Sequence, residues 1–175
     1  SVRQIEDPAN LSTGRWFSTV KFYDHRENLI QTHMENQLNG TDVSTFRFNF
    51  TGTILTSYIV HNSPSAAITQ TRVRTRTEYD HAGRVLEIWK TINDETIKEA
   101  RIVKNEFDDL GKLKKIQLGR KKDPVTLGYT TDPLEELVYN YNVHGWLKGI
   151  NKNYANGSSG IPGSGPWFGM ELNYD

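Results

Sequence analysis

Residues 79–89 read YDHAGRVLEIW, and the fold follows from how this stretch is punctuated. Before it runs "TQTRVRTRTEY", which alternates with period two. Arg72, Arg74 and Arg76 fall on one face, and Thr71, Val73, Thr75 and Tyr79 on the other. That is the signature of a strand. Asp80 then opens a turn, because its side chain can accept from backbone N–H groups two residues on. Gly83 supplies the left-handed conformation that closes a three- or four-residue loop, often with a bulge. Val85 begins the returning strand and packs against the aromatic Tyr79 across the hairpin.

The same phrase recurs at "YDHRENLI" from residue 23, "FNFTGTIL" from 48, "FDDLGKLK" from 107 and "YNVHGWLK" from 141. Position 1 is aromatic (Tyr23, Phe48, Tyr79, Phe107, Tyr141) and position 2 is Asp or Asn (Asp24, Asn49, Asp80, Asp108, Asn142). Position 5 is Gly52, Gly83, Gly111 or Gly145, with Glu27 the exception. Position 7 is aliphatic (Leu29, Ile54, Val85, Leu113, Leu147). Starts lie 25 to 34 residues apart, and Tyr174-Asp175 would open a sixth unit. A period of this length marks a repeat architecture. Glu27 predicts a different first turn, or a positive φ at Asn28 instead.

Further reversals at "QLNGTD", "HNSPSA" and "TINDET" return the chain, so the reading is all-β: an antiparallel meander of hairpins forming a curved sheet. Strands are expected near 15–22, 28–34, 43–50, 53–61, 67–79, 84–92, 97–107, 112–118, 135–141, 145–151 and 169–174. A helical alternative exists only over Asp94–Lys104, where the strand reading is preferred. "YANGSSGIPGSGPWFG", over 154–168 and into Gly169, reads as an exposed Gly/Ser/Pro loop ending where Trp167 and Phe168 dock. A phosphate cradle is not supported there, since no Gly-Lys-Ser/Thr follows.

The chain has 175 residues, which predicts a single domain over 1–175 with a sizeable core. Lys plus Arg equals Asp plus Glu at 21 each, a zero balance that argues against nucleic acid as partner. There is no cysteine, which removes disulfides, thiolate metal sites and cysteine nucleophiles. No apolar run approaches 18 residues, so no membrane span is expected. A start at Ser1 without Met fits a processed or excised protein.

Candidate chemistry is sparse, and the expectation is no enzyme, no cofactor and no metal. His25, His33, His61, His81 and His144 have no metal-ligand spacing, and three of them fall in turns. Asp108-Asp109 and Glu135-Glu136 are strand neighbours whose side chains point to opposite faces. No Gly-x-Ser-x-Gly elbow is present. The Arg72/Arg74/Arg76 row could grip an acidic glycan, with Trp167 as a sugar platform. The plainer reading is a solvated face paired with acidic neighbours such as Glu87. Trp89 and Trp146 read as core or hairpin-pair residues, and Trp146 stands where the phrase puts a basic residue.

The phrase at this spacing, with "EYDHAGRVLEIW", "YNYNVHGWLKGIN" and "FGMELNYD", resembles the YD repeats of Rhs proteins, of teneurins and of toxin-complex shell subunits. It is most similar to Rhs-repeat proteins of Bacteroidetes. The resemblance implies hairpins winding into a spiral β-shell. It also implies that the chain is a fragment of a much larger secreted or cell-surface bacterial protein of polymorphic-toxin type. Implied partners are the remaining repeats, and an encapsulated C-terminal toxin or a cell-surface glycan; an open edge strand would invite self-association. The family's self-cleaving paired-Asp motif has no match here, so that activity is not carried over.

Overall fold

The computed structural model describes residues 2–4, 14–121, 123, 125–126, 128–130, 132–157 and 167–174. Its strands are β1 (Val2–Gln4), β2 (Arg15–Phe17), β3 (Thr19–Tyr23), β4 (Leu29–Glu35), β5 (Thr41–Phe48), β6 (Ile54–Asn62) and β7 (Gln70–Tyr79). They continue as β8 (Val85–Ile92), β9 (Ala100–Phe107), β10 (Leu113–Leu118), β11 (Glu135–Tyr141), β12 (Leu147–Ile150) and β13 (Met170–Glu171). A 3-10 turn over Thr96–Lys98 precedes β9, and one short helix, α1 (Lys152–Ala155), follows β12. The helical alternative over 94–104 is thus confined to a single turn, and the strand begins at Ala100.

Strands β3 to β13 form an 11-stranded sheet in strict chain order, and β1 pairs with β2 separately. The sheet is an open antiparallel meander: β3 and β13 end it and are not paired with each other. Local connections suffice for such a sheet, because antiparallel neighbours can be joined by short hairpins.

Contacts divide the chain into two compact units, Ser1–Arg76 with Lys90–Thr96, and Thr77–Trp89 with Ile97–Asp175. In the first unit the register builds continuous rungs. Val20, His33, Val43, Val60 and Arg72 stand opposite one another on β3 to β7, and Phe22, Gln31, Thr45, Tyr58 and Arg74 form the next rung on the same face. The reverse face carries Lys21, Thr32, Ser44, Ile59 and Val73. Both faces therefore mix polar and apolar groups.

The second unit separates them. Val103 and Leu118 pair, as do Asn105, Ile116 and Leu137, and Tyr139, Ile150 and Met170, giving one largely apolar face. Lys104, Gln117 and Glu136, with Glu106, Lys115 and Val138, occupy the other. There Lys115 Nζ lies 3.0 Å from Glu136 Oε1, and Gln117 Nε2 donates to Glu136 at 3.1 Å. Partial burial alone would raise the Glu136 carboxyl, but the bonds from Lys115 and Gln117 outweigh it and hold it below the ordinary range.

The expected core is not found: among the described residues no apolar residue is buried, and the buried non-glycine residues are Ser63, Thr91 and Asn151. The physical reason is the topology. Each strand satisfies its backbone sideways against a sequence neighbour, and no described second layer lies on either face, so side chains are half-covered by their cross-strand partners only.

Candidate functional site

The feature that the sequence repeats is the hairpin turn, and its geometry recurs at all five sites. At residues 80–84 the Asp80 N–H donates to Arg84 O at 2.9 Å and the Gly83 N–H to Asp80 O at 3.0 Å. Asp80 Oδ1 accepts from the Ala82 and Arg84 N–H groups, both at 2.9 Å. The same two backbone bonds close 24–28, 49–53, 108–112 and 142–146. Asp24, Asn49 and Asp108 cap two N–H groups each, and Asn142 caps that of Trp146. Position 5 has φ of 64° at Glu27, 83° at Gly52, 79° at Gly83, 80° at Gly111 and 82° at Gly145. A register shift then pairs position 1 with position 7: Tyr23 with Leu29, Phe48 with Ile54, Phe107 with Leu113 and Tyr141 with Leu147. This is a type I turn followed by a left-handed residue and a bulge.

The Glu27 expectation is corrected: the first turn is the same as the others, and Glu27 itself takes the positive φ rather than Asn28. Three ties hold it there. Asp24 Oδ1 accepts from the Arg26 and Asn28 N–H groups at 2.8 and 2.9 Å, and Asp24 Oδ2 accepts from Asn28 Nδ2 at 3.0 Å. The Asn28 side chain is the leading cause that keeps the Asp24 carboxyl below its ordinary pKa. At Asp80 the leading cause is the Arg84 N–H, with the Arg84 guanidinium 2.7 Å from Oδ2 reinforcing it.

A turn of this kind also stands where sequence placed only a reversal. In "NQLNG" the Asn36 N–H donates to Gly40 O at 3.0 Å, and Asn36 Oδ1 accepts from the Leu38 and Gly40 N–H groups. Asn39 takes the left-handed place, at φ 59°.

Position 6 joins one turn to the next. In the second unit the Arg84 guanidinium lies 4.3 Å from the Phe107 ring centre, and Lys112 Nζ lies 5.5 Å from that of Tyr141. Trp146 continues the series, 5.4 Å from the Tyr174 ring. Tyr141 Oη donates to Leu113 O at 2.9 Å and Tyr174 Oη to Leu147 O at 2.6 Å. Each position-1 aromatic is thus held by positions 6 and 7 of the preceding turn. In the first unit Arg26, at position 4, takes this part, 5.0 Å over Phe50 and bonded to its carbonyl at 3.2 Å. Sequence reading found the turns but missed these joints; the basic residue at position 6 in 84 and 112 was the available signal.

The proposed ligand residues are distributed as follows. Arg72, Arg74 and Arg76 stand on one face of β7 in the first unit, opposite Val60, Tyr58 and Thr56. Arg72 Nη1 pairs with Asp94 Oδ2 at 2.9 Å, and Tyr58 Oη donates to the same carboxylate at 3.0 Å. Arg74 Nη2 donates to Thr91 Oγ1 at 3.3 Å. Glu87 accepts from Trp89 Nε1 at 3.0 Å and from Arg101 at 3.5 Å. Trp167 belongs to the second unit; its N–H donates to Glu135 at 2.9 Å while its side chain is exposed, so it does not dock as the sequence suggested. Of the expected 154–168 loop, Tyr154 and Ala155 end α1, and 158–166 lie outside the described residues.

Acid–base chemistry finds little to work with. His61 Nδ1 lies 2.5 Å from Asp42, His33 packs its ring edge-on to Phe22 at 5.4 Å, and His25, His81 and His144 are exposed turn residues. Among the described residues no three His, Asp or Glu side chains converge as metal ligands, and no helix is long and apolar enough to cross a membrane. A cleft of about 570 Å³ in the second unit is lined by residues including Asp132, Glu135, Glu136, Asn151 and Tyr154. Its two glutamates are committed to Trp167 and to Lys115 with Gln117. Asn151, at φ 45°, works as a strut: its amide donates to Glu136 O and Phe168 O and accepts from the Val138 N–H.

No protein-family model matches the chain, and no curated protein matches it significantly in sequence.

Proposed function

We propose that this protein is a structural module: a run of YD-type hairpins whose work is to extend a β-sheet wall, with no catalysis of its own. One observation carries the reading. Five turns share one backbone geometry, and successive turns of the second unit are joined through position 6. Repetition of a joint is what a modular wall requires, because each unit must present the next with the same surface. The absence of a buried apolar residue among those described supports it, since faces left half-covered suit a sheet that others will line. In this proposal the parent is a large secreted or surface bacterial protein of Rhs type, and the partners are its other repeats and an enclosed C-terminal segment.

The competing reading is recognition of an acidic glycan by the Arg72/Arg74/Arg76 face. The Asp94 carboxylate on Arg72 weighs against it by satisfying that cation internally. A glycan array and salt-titrated binding to acidic polysaccharide decide between them. A wall module gives no saturable binding. Saturable binding that disappears in Arg72→Ser/Arg74→Ser would replace the wall reading with recognition.

A further inference from the structure

Each described glycine of the phrase in the second unit, apart from Gly83, has a neighbour pressed against it. A Cβ added to Gly111 would lie 2.7 Å from Arg84 Nη1, and one added to Gly145 would collide with Lys112 Nζ. The position-6 side chain therefore makes two contacts on the following hairpin: the aromatic of position 1 and the bare backbone of position 5. Arg84 meets Phe107 and Gly111; Lys112 meets Tyr141 and Gly145.

Trp146 makes only the first of these. It meets Tyr174, no glycine of the described residues lies against it, and it is 56% exposed. Its indole is larger than the cations it replaces and is a flat apolar face well suited to a turn backbone with no side chain.

We infer that the open side of Trp146 is a docking face for a hairpin turn of the form Asp/Asn-x-x-Gly carried by another polypeptide segment, with the glycine seated on the indole. The occupant follows from the two preceding joints, which show the same seat already filled within the molecule. The chain's own first turn is a poor occupant, because Glu27 puts a charged side chain where the seat needs none. Glu27 thereby discourages head-to-tail addition of a second copy at this seat. The inference rests on the wall reading above, yet it fails separately: its readout is Trp146 in the second unit, whereas glycan binding would report on the arginines of the first.

The test uses the full chain and a peptide with the sequence of residues 79–85, cyclised through D-Pro-Gly to hold the turn. Indole N–H resonances are followed by NMR, with that of Trp146 assigned from Trp146→Phe. The expected result is a saturable shift of the Trp146 resonance, with at least tenfold weaker binding by the same peptide carrying Gly83→Glu. No shift at Trp146, or equal binding by the two peptides, overturns the docking face. A Trp146 shift that grows with protein concentration in the absence of peptide overturns the role given to Glu27.

Discussion

The turns at 80–84 and 108–112 share sequence pattern, hydrogen bonds and backbone angles, and they differ in what surrounds the glycine. A Cβ at Gly83 would meet nothing within 4 Å, whereas one at Gly111 would meet the Arg84 guanidinium. The same residue type at the same place in a repeat thus answers two demands. One is intrinsic, a positive φ that only glycine adopts without strain. The other comes from the neighbour, a space into which the previous hairpin reaches. The turn at 24–28 isolates the first demand from the other side, because Glu27 meets the same backbone angle with a side chain in place.

Substitutions can break this comparison. Gly111→Val should be the most damaging, by roughly 2–4 kcal/mol, because backbone strain adds to displacement of a stacked cation. Gly83→Val should cost roughly 1–3 kcal/mol from strain alone, and Gly83→Asn less, since Asn tolerates the left-handed region. Chemical denaturation midpoints would order the set. Equal costs at 83 and 111 would remove the neighbour's part in the account.

Arg84→Ala should cost about 1 kcal/mol for the lost stack on Phe107, and it should bring Gly111→Val down to the level of Gly83→Val. A double-mutant cycle measures that coupling, and strict additivity would mean that Arg84 and Gly111 do not sense each other. Glu27→Gly should stabilise by about 1 kcal/mol, the relief of a left-handed side-chain residue. A loss of stability would show that Glu27 makes a contact worth more than the strain it carries.

The smallest effect is with acid. The folded-state pKa values of Asp24 and Asp80 are depressed, so their contribution is present above the unfolded value of about 3.9 and is lost as pH falls through the folded values. Amide exchange at Arg26 and Ala82 should rise below about pH 3.9, while that at Thr51, capped by the non-titrating Asn49, should not respond in this way. Asp80→Asn should remove the response at Ala82 alone.

Much of the fold was legible because both of its signals are local. Period-two alternation set the strands and the Asx-x-x-Gly phrase set the turns, so β11 lies at 135–141 as expected and β6, expected over 53–61, runs over Ile54–Asn62. The phrase also contained its own exception, misread only because Glu is rarely seen at positive φ. What escaped depended on groups distant in sequence. The Arg84–Phe107 and Trp146–Tyr174 contacts join adjacent turns and leave only a faint preference at position 6. The strut at Asn151 gathers Glu136, Val138 and Phe168, which no spacing rule connects. The core was over-expected because chain length predicts burial only for a sheet that something covers.

The pairing of every strand of the large sheet with its immediate sequence neighbours has a kinetic consequence. Loop closure is short at each step, so the entropy spent before each hairpin is rewarded is small, and folding can start at any hairpin and spread. Such a chain approaches a one-dimensional cooperative array, in which stability adds up from units and their nearest-neighbour couplings. Opening should then fray inward from β3 and β13, leaving the central hairpins as the last to exchange their amides, and Asp/Asn-x-x-Gly turns could be inserted or deleted in whole units while the remaining joints persist.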